Sequence, residues 1–170
     1  MKLTLTERWI LANQYHILEA LYPKDADYFS KAREAFEGGY EFAYEELCQN
    51  FNKDNDVMTK EECIEVIDIL AMFDSLKTSY ERLSDKSGIE RWQIDFSGFD
   101  GNNEAKQMAY ARYFCTSGTP RFTDLNRGDD FNSHMPTLSR YRLMVREWRN
   151  FSRGHDLSKE AILKIVSAKQ

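Results

Sequence analysis

The sequence predicts an all-α protein, a multihelical single domain of about six to seven helices with one long ordered loop. Two capping boxes, Thr4 with Glu7 and Thr59 with Glu62, each precede a stretch of helical apolar spacing. The 8 glycines and 3 prolines among 170 residues are too few for the turns of a β-sandwich. Because a chain of this length can bury roughly two thirds of its unfolded surface in one core, we expect residues 1–170 to form one domain.

The first two helices are defined by their ends. The first follows Thr4 and ends before Pro23, and the apolar residues on one of its faces are Ile10, Ile17, Leu18 and Leu21. Asp25 is expected to cap a second helix, whose apolar residues are Phe29, Ala32 and Phe36. Gly38 and Gly39 supply the left-handed stop. A third helix is then predicted from about Tyr40 to Phe51, followed by the polar break 52–56.

The longest periodic stretch starts at the capping box of Thr59 and is predicted to end at Gly88 as the fourth, central helix. Its spaced apolar residues are Cys63, Ile67, Leu70, Leu76, Tyr80 and Leu83. Residues 91–99 alternate only weakly, and an isolated strand cannot form a sheet, so we interpret them as an ordered loop. A fifth helix is predicted from about Asn103 to Cys115.

Residues 116–135 have no apolar period and form the long loop; loops of this length inside compact domains are usually functional or partly disordered. Pro136 suits the first turn of a sixth helix that runs to about Phe151. The residues expected to face inward on it are Leu138, Tyr141, Val145 and Trp148. Ser158 caps a short last helix with Ile162, Ile165 and Val166 on its apolar face.

Charge and composition constrain the location and the partners. The net charge of −5 divides unevenly, with 9 Lys and Arg against 18 Asp and Glu in residues 1–85 and 14 against 10 in residues 86–170. Such polarity favours association of the halves, of copies, or of the basic side with an anion. The first residues lack the apolar run of a signal peptide, and no stretch reaches the length of a membrane span. We therefore expect a cytoplasmic protein that binds no membrane.

The three cysteines, Cys48, Cys63 and Cys115, have no CxxC spacing, which is typical of reduced thiols in a cytosolic chain. His16, His134 and His155 are far apart in sequence, so a helical metal site is not expected. The phosphate-binding, dinucleotide-binding, serine-hydrolase and zinc-protease motifs are all absent. The sequence therefore predicts no cofactor and no metal, and it favours binding over catalysis.

Two weaker patterns leave chemistry open. Asn52, Asp54 and Asp56 have the spacing of a calcium loop, but Val57 and Cys63 occupy the positions that need glycine and glutamate, so a solvated turn is favoured. Cys115 with His134 or His155 could form a nucleophile and base if the fold brought them together. A cysteine at the apolar end of a helix is more often part of the core.

The most informative pattern is an arginine stripe on the sixth helix, formed by Arg142, Arg146, Arg149 and Arg153. Steps of 4, 3 and 4 place these residues on one helical face, and nearby carboxylates of the same helix do not neutralise them. The face could be solvated, could pair with an acidic surface of the same or a neighbouring subunit, or could bind nucleic acid or a phosphorylated ligand. The matching acidic residues are Glu61, Glu65 and Asp68 on the fourth helix and Glu41, Glu45 and Glu46 on the third.

The long loop adds polar residues that could line a pocket beside the stripe or hold the loop in place, and the second interpretation is favoured. These residues are Arg121, Asp124, Arg127, Asp129, Asp130 and His134. Arg121 and Arg127 are therefore added to the four arginines of the stripe as candidate partner- or anion-binding residues. The net acidity of the chain argues against general nucleic-acid binding.

Three segments together resemble the YfbU family of bacterial proteins: ILANQYHILEALYP, FSGFDGNNEAKQMAYARYF and RFTDLNRGDDFNSHMPTLSRYRLMVREW. The resemblance spans nearly the whole chain and weakens at FNKDND, between the third and fourth helices. It implies a multihelical fold that tends to oligomerise, and it implies no activity. We therefore expect a self-associating binding module, a homo-oligomer. The alternative is an enzyme or regulator that binds a phosphorylated ligand or nucleic acid through the arginine stripe.

Overall fold

Eight α-helices form within the residues that the computed structural model describes, which are 1–53, 56–116, 122–125, 130–151 and 154–168. The helices are α1 Leu5–Leu21, α2 Ala26–Gly38, α3 Glu41–Leu47, α4 Lys60–Arg82, α5 Arg91–Ile94, α6 Ala105–Thr116, α7 Leu138–Arg149 and α8 Lys159–Val166. The all-α prediction is confirmed. The contacts group into two compact units, Met1–Val57 and Met58–Gln170, which are described in turn. That residues 1–170 form one domain stays a prediction.

Residues 1–57 form a small helical unit in which α1 packs on α2. The capping box of Thr4 and Glu7 starts α1 as predicted, and Gly39 ends α2 with a φ of 75°. Asp25 precedes α2, but its side chain accepts no hydrogen bond from the first backbone N–H groups of the helix. The buried core is an aromatic stack, in which the ring centroid of Phe36 lies 5.4 Å from that of Tyr15 and 5.1 Å from that of Tyr44. α3 ends at Leu47, earlier than predicted.

Residues 58–170 form a larger unit around α4. The capping box of Thr59 and Glu62 starts α4 as predicted, but the helix ends at Arg82 rather than near Gly88. Residues of α4, α6, α7 and α8 form one buried core. Tyr141 and Trp148 of α7 face inward as predicted, and Phe73 of α4 packs edge-on against Tyr141 with ring centroids 4.9 Å apart.

Residues 91–99, which we interpreted as a loop, begin with the one-turn helix α5. Glu90 and Gln93 form a capping box around its first turn, so a local signal was present in the sequence. The chain then becomes extended, and Phe99 exchanges backbone hydrogen bonds with Phe131 and Ser133 at 2.8 and 3.0 Å. Gly98 has a φ of 94°, and a Cβ there would lie 2.3 Å from the carbonyl oxygen of Phe131. Only glycine fits this approach of two backbones.

Candidate functional site

Arg142 and Arg149 of the arginine stripe pair with carboxylates of α4, within residues 58–170. Arg142 donates to both oxygens of Glu65, from Nε at 2.7 Å and from Nη2 at 2.9 Å. Arg149 donates from Nη2 to Oδ2 of Asp68 at 2.6 Å. Two of the three acidic residues that the sequence singled out on the fourth helix are thus partners of the stripe in the same chain.

The two ion pairs differ in exposure. The side chain of Asp68 is 9% exposed and that of Glu65 is 28% exposed, whereas their arginine partners are similarly exposed, at 49% and 54%. Hydrogen bonding to Glu65 raises the pKa of the Arg142 guanidinium further above its ordinary value. Because both arginines already have carboxylate partners, a phosphorylated ligand would have to displace those partners or bind elsewhere on the stripe. Of the roles left open by the sequence, the observed geometry matches pairing within one chain.

Arg146 lies between them on the outer face of α7. Its side chain is exposed, and among the described residues no carboxylate forms an ion pair with it. Arg121, Arg127 and Arg153, the other predicted site residues, lie outside the described residues. The third helical carboxylate, Glu61, is exposed and lines a groove with Arg142 and Arg149.

The described part of the long loop is held in place by its own chain. Arg112 of α6 forms an ion pair with the carboxylate of Asp130 and donates to its carbonyl oxygen at 3.3 Å. Lys77 donates to the carbonyl oxygen of Asp124 at 3.0 Å. Non-glycine residues with positive φ concentrate in this segment, namely Phe122, Asp130, Phe131 and His134. A cavity of about 300 Å³ lies beside the loop, with His134, Trp92 and Asp95 on its wall.

Glu104 is a buried acidic residue that the sequence analysis missed. It is 7% exposed and accepts hydrogen bonds from the backbone N–H of Thr137 at 2.9 Å and of Leu138 at 2.8 Å, at the start of α7. It also accepts from the backbone N–H of Asp100 at 3.0 Å. Thr137 makes no side-chain cap bond of its own, so a carboxylate from a distant part of the chain caps α7. Its role is structural, since all of these partners are internal.

The cysteines and histidines do not assemble the proposed nucleophile and base. Cys115 is 1% exposed, and burial raises the pKa of its thiol to about 11. His155 instead lies with Nδ1 3.2 Å from the hydroxyl oxygen of Ser75 and 3.6 Å from a carboxylate oxygen of Asp74. Ser75 donates to the carbonyl of Ala71 at 2.8 Å. Because both neighbours approach the same ring nitrogen, this trio lacks the relay geometry of a serine hydrolase.

A different candidate surface lies on the outer face of α1. Ala12 belongs to the core, and Leu11 and Tyr15 pack against it. Of the predicted apolar face, only Leu18 is partly buried. Five large apolar residues of α1 are half or more exposed: Leu5 at 73%, Trp9 at 68%, Ile10 at 50%, Ile17 at 57% and Leu21 at 65%. We call the exposed residues of this side the outer face of α1. Sequence periodicity detected the apolar residues but did not show that the helix has two apolar faces.

The outer face of α1 also carries no Asp, Glu, Lys or Arg side chain, and His16 lies at its edge. Between its apolar residues lie Thr6, Asn13 and Ala20, all exposed. The charged groups Glu7, Arg8 and Glu19 project elsewhere on the helix, where Arg8 donates to the carbonyl of Phe36 at 3.2 Å. A groove of about 490 Å³ runs beside this face; its walls include Trp9, Asn13 and Phe36 as well as the charged residues Arg8 and Glu37. A contiguous, uncharged apolar surface of this kind is typical of a protein contact.

The described residues contain neither a cluster of metal ligands nor a membrane-spanning helix. In that part of the chain, no group of three or more His, Cys, Asp and Glu side chains is placed to hold a metal ion. The calcium-loop pattern depends on Asp54, which lies outside the described residues. None of the helices that the structure describes has both the length and the apolarity needed to cross a membrane.

Fold and surfaces together define an all-helical protein with an apolar helix face open to solvent and a basic face on which Arg142 and Arg149 pair with carboxylates of α4. Comparison with known proteins identifies its family. The sequence model of the YfbU domain matches residues 1–168. The chain is also 33% identical over 170 residues to a UPF0304 protein of Actinobacillus succinogenes, covering 99% of this chain and all of that protein. The chain belongs to the YfbU family.

Proposed function

We propose that this protein is a self-associating interaction module that acts by binding other proteins rather than by catalysis. The observation that supports it best is the outer face of α1, where Leu5, Trp9 and Ile17 are largely exposed without a charged neighbour on that face. An apolar surface of this extent, on the order of 500 Å², is at the upper end of what monomeric proteins leave in contact with water. Burial of such a surface is the main driving force of protein association.

The size of the surface fits a subunit contact. A stable interface buries about 800 Å² per partner, with an apolar centre and a polar rim. The apolar residues of the outer face supply the centre, with the polar groups of Thr6 and Asn13 among them. The core of residues 1–57 is small and gives a further reason for association, since a unit of that size gains little from its own burial. Its buried apolar residues in the described part are Ala12, Ala32, Ala35, Phe36 and Tyr44.

Two exposed isoleucines allow a matched test of the proposal. Ile17 lies on the outer face of α1 and Ile64 lies on α4 beside the arginine stripe, with exposed fractions of 57% and 44%. The same substitution, Ile→Glu, places a carboxylate on each surface. We expect Ile17→Glu to raise the dissociation constant of self-association roughly 100-fold, because an unpaired charge would be buried in the contact. Ile64→Glu should leave it nearly unchanged.

Sedimentation velocity over a wide range of protein concentrations measures both outcomes, and circular dichroism checks that each variant is folded. A wild-type protein that stays monomeric throughout would contradict the proposed self-association. If Ile64→Glu dissociates the protein and Ile17→Glu does not, the contact belongs to the stripe side of α4 and α7 instead.

A second candidate function is anion binding at the arginine stripe. The observation in its favour is Arg146, an exposed guanidinium without an ion pair among the described residues, one turn from Arg142 and from Arg149. Calorimetric titration with inorganic pyrophosphate tests it in low and in high salt. Binding by several arginines should weaken steeply with salt and should be lost in Arg146→Ala, whereas an apolar subunit contact hardly responds to salt.

A further inference from the structure

The outer face of α1 is symmetric in character about its central residue, Asn13. Residues that step by four along a helix form a continuous ridge, and here that ridge runs Leu5, Trp9, Asn13, Ile17, Leu21. At equal numbers of residues before and after Asn13, large apolar residues occupy both positions or small residues occupy both. The matched pairs are Leu5 with Leu21, Trp9 with Ile17, and Thr6 with Ala20.

From this symmetry we infer that two copies of the chain pair through antiparallel α1 helices, with Asn13 on the two-fold axis. The inference rests on the proposed self-association and assigns its geometry. A two-fold contact is self-complementary, so residue i of one copy meets residue j of the other and the reverse also holds. Antiparallel pairing about Asn13 places Trp9 against Ile17 of the partner subunit twice, and Thr6 against Ala20 of the partner subunit twice.

The chemistry of Asn13 suits a two-fold axis. Its amide has both a donor and an acceptor, so two copies facing each other can donate to one another. A single asparagine within an apolar contact fixes the register, because any shift would leave its amide without a partner. A charged residue at this position would meet its own copy and repel it, and the outer face has none.

The neighbouring positions fit the same arrangement. At 100° per residue, Thr6 and Ala20 lie about 20° to either side of Asn13, and Trp9 and Ile17 lie about 40° to either side. Small residues near the centre line allow two helices to approach, while the large ones fill the space beside them. Ile10 and His16 are the pair that does not match in character; both are exposed at the edge of this band.

Thiol cross-linking distinguishes this arrangement from others. Cysteines are introduced singly as Asn13→Cys, Thr6→Cys and Ala20→Cys, in a chain in which Cys48 and Cys63 are replaced by serine and Cys115 by alanine. Each protein is treated with a short bis-maleimide, and covalent dimers are detected at twice the 20.0 kDa chain mass. In the antiparallel pair, two Thr6 positions lie about 20 Å apart, beyond the reach of the reagent.

We expect Asn13→Cys to cross-link by itself, Thr6→Cys and Ala20→Cys to fail by themselves, and an equal mixture of those two to cross-link. Cross-linking of each variant alone would indicate parallel helices and overturn the inference. Sedimentation of the same samples separates the two proposals: association without any cross-link overturns the α1 geometry alone, and a monomer at every concentration overturns the proposed function as well.

A second comparison uses the chain with its own cysteines, in case the cysteine-free background is unstable. Asn13→Arg places like charges on the axis, and we expect it to raise the dissociation constant about 100-fold or more. Gln14→Arg adds the same charge about 100° further around the helix, and we expect a change within about threefold. Equal effects of the two substitutions would contradict the axial position of Asn13.

Discussion

Helices α1 and α7 both present an outer face to solvent, and the two faces are opposite in character. On α7 the exposed groups are arginines, and Arg142 and Arg149 have carboxylate partners on α4. On α1 they are large apolar side chains such as Trp9 and Ile17, and the described residues of the range 1–57 leave them exposed. The charges of a surface can be neutralised within one chain. An apolar surface that is open to water is different, because the free energy falls when another protein surface covers it. The comparison therefore points to α1, rather than the more conspicuous arginines, as the surface for a partner.

The largest effect is expected at Glu104, which attaches the start of α7 to the rest of residues 58–170. Glu104→Ala leaves the buried N–H group of Thr137 and the partly buried N–H group of Leu138 without their acceptor. We expect it to lower the free energy of unfolding by about 3 kcal/mol. Urea unfolding measures the change. Glu61→Ala, at an exposed glutamate of α4, is the matched control and should change stability by less than about 0.5 kcal/mol. Equal effects would show that α7 is held by its apolar contacts alone.

Cys115 gives a pH-dependent test of whether water reaches the core of residues 58–170. The outer face of α1, in contrast, is exposed to solvent. Burial raises the pKa of this thiol to about 11 in the folded protein. The contribution of the buried, neutral thiol to the free energy of unfolding is therefore fully present below the ordinary thiol pKa of about 8.5, and it is lost as the pH rises through about 11. We expect the wild type to lose roughly 2 to 3 kcal/mol more than Cys115→Ala between pH 8 and pH 11.

Denaturant unfolding of both proteins at the two pH values gives the difference, in which the titration of other groups cancels. Parallel loss of stability in the wild type and in Cys115→Ala would mean that water reaches the thiol.

Smaller effects are expected from the two ion pairs of α7. Double-mutant cycles isolate each pairwise energy from the other contacts of each side chain. We expect about 1 kcal/mol for Arg149 with the largely buried Asp68, and about 0.5 kcal/mol for the exposed pair of Arg142 with Glu65. Both values should fall in high salt. Coupling energies near zero in low salt would mean that the arginines of α7 are solvated rather than paired.

The smallest effect on the free energy of unfolding is expected at Arg146, and an unchanged value is informative in itself. Arg146→Glu should change the free energy of unfolding by less than about 0.5 kcal/mol, because the side chain is exposed. If copies associate through α1, the mass in light scattering should also be unchanged. Loss of assembly without loss of stability would identify the arginine stripe as the subunit contact, which is the interface that the charge pattern alone suggested.

The helices could be predicted from the sequence wherever local signals agreed. Thr4 with Glu7 and Thr59 with Glu62 located two helix starts correctly, because a capping box depends only on residues three apart. α5 was missed although Glu90 and Gln93 form a capping box, since glutamate is not among the usual N-cap residues. The apolar period stops being informative near the end of α4, where propensity alone could not place the last turn.

The candidate site could be predicted only in part, because its properties depend on distant residues. Spacing placed Arg142 and Arg149 on one face and Glu65 and Asp68 on another, but only the packing of α4 against α7 brings the pairs together across 77 and 81 residues. Glu104 looked like any acid near a helix start, and its partners at Thr137 and Leu138 lie more than 30 residues away. On α1, the choice of core face is made by contacts with Phe36 and Tyr44, which periodicity does not encode.

The buried cap that Glu104 provides has a consequence for hydrogen exchange. The first amides of a helix usually exchange quickly with solvent deuterium, because they lack partners within the helix and the ends fray. The amides of Thr137 and Leu138 instead donate to a carboxylate that is 7% exposed. They should exchange only when residues 58–170 unfold as a whole, which makes the beginning of α7 one of its slowest-exchanging regions.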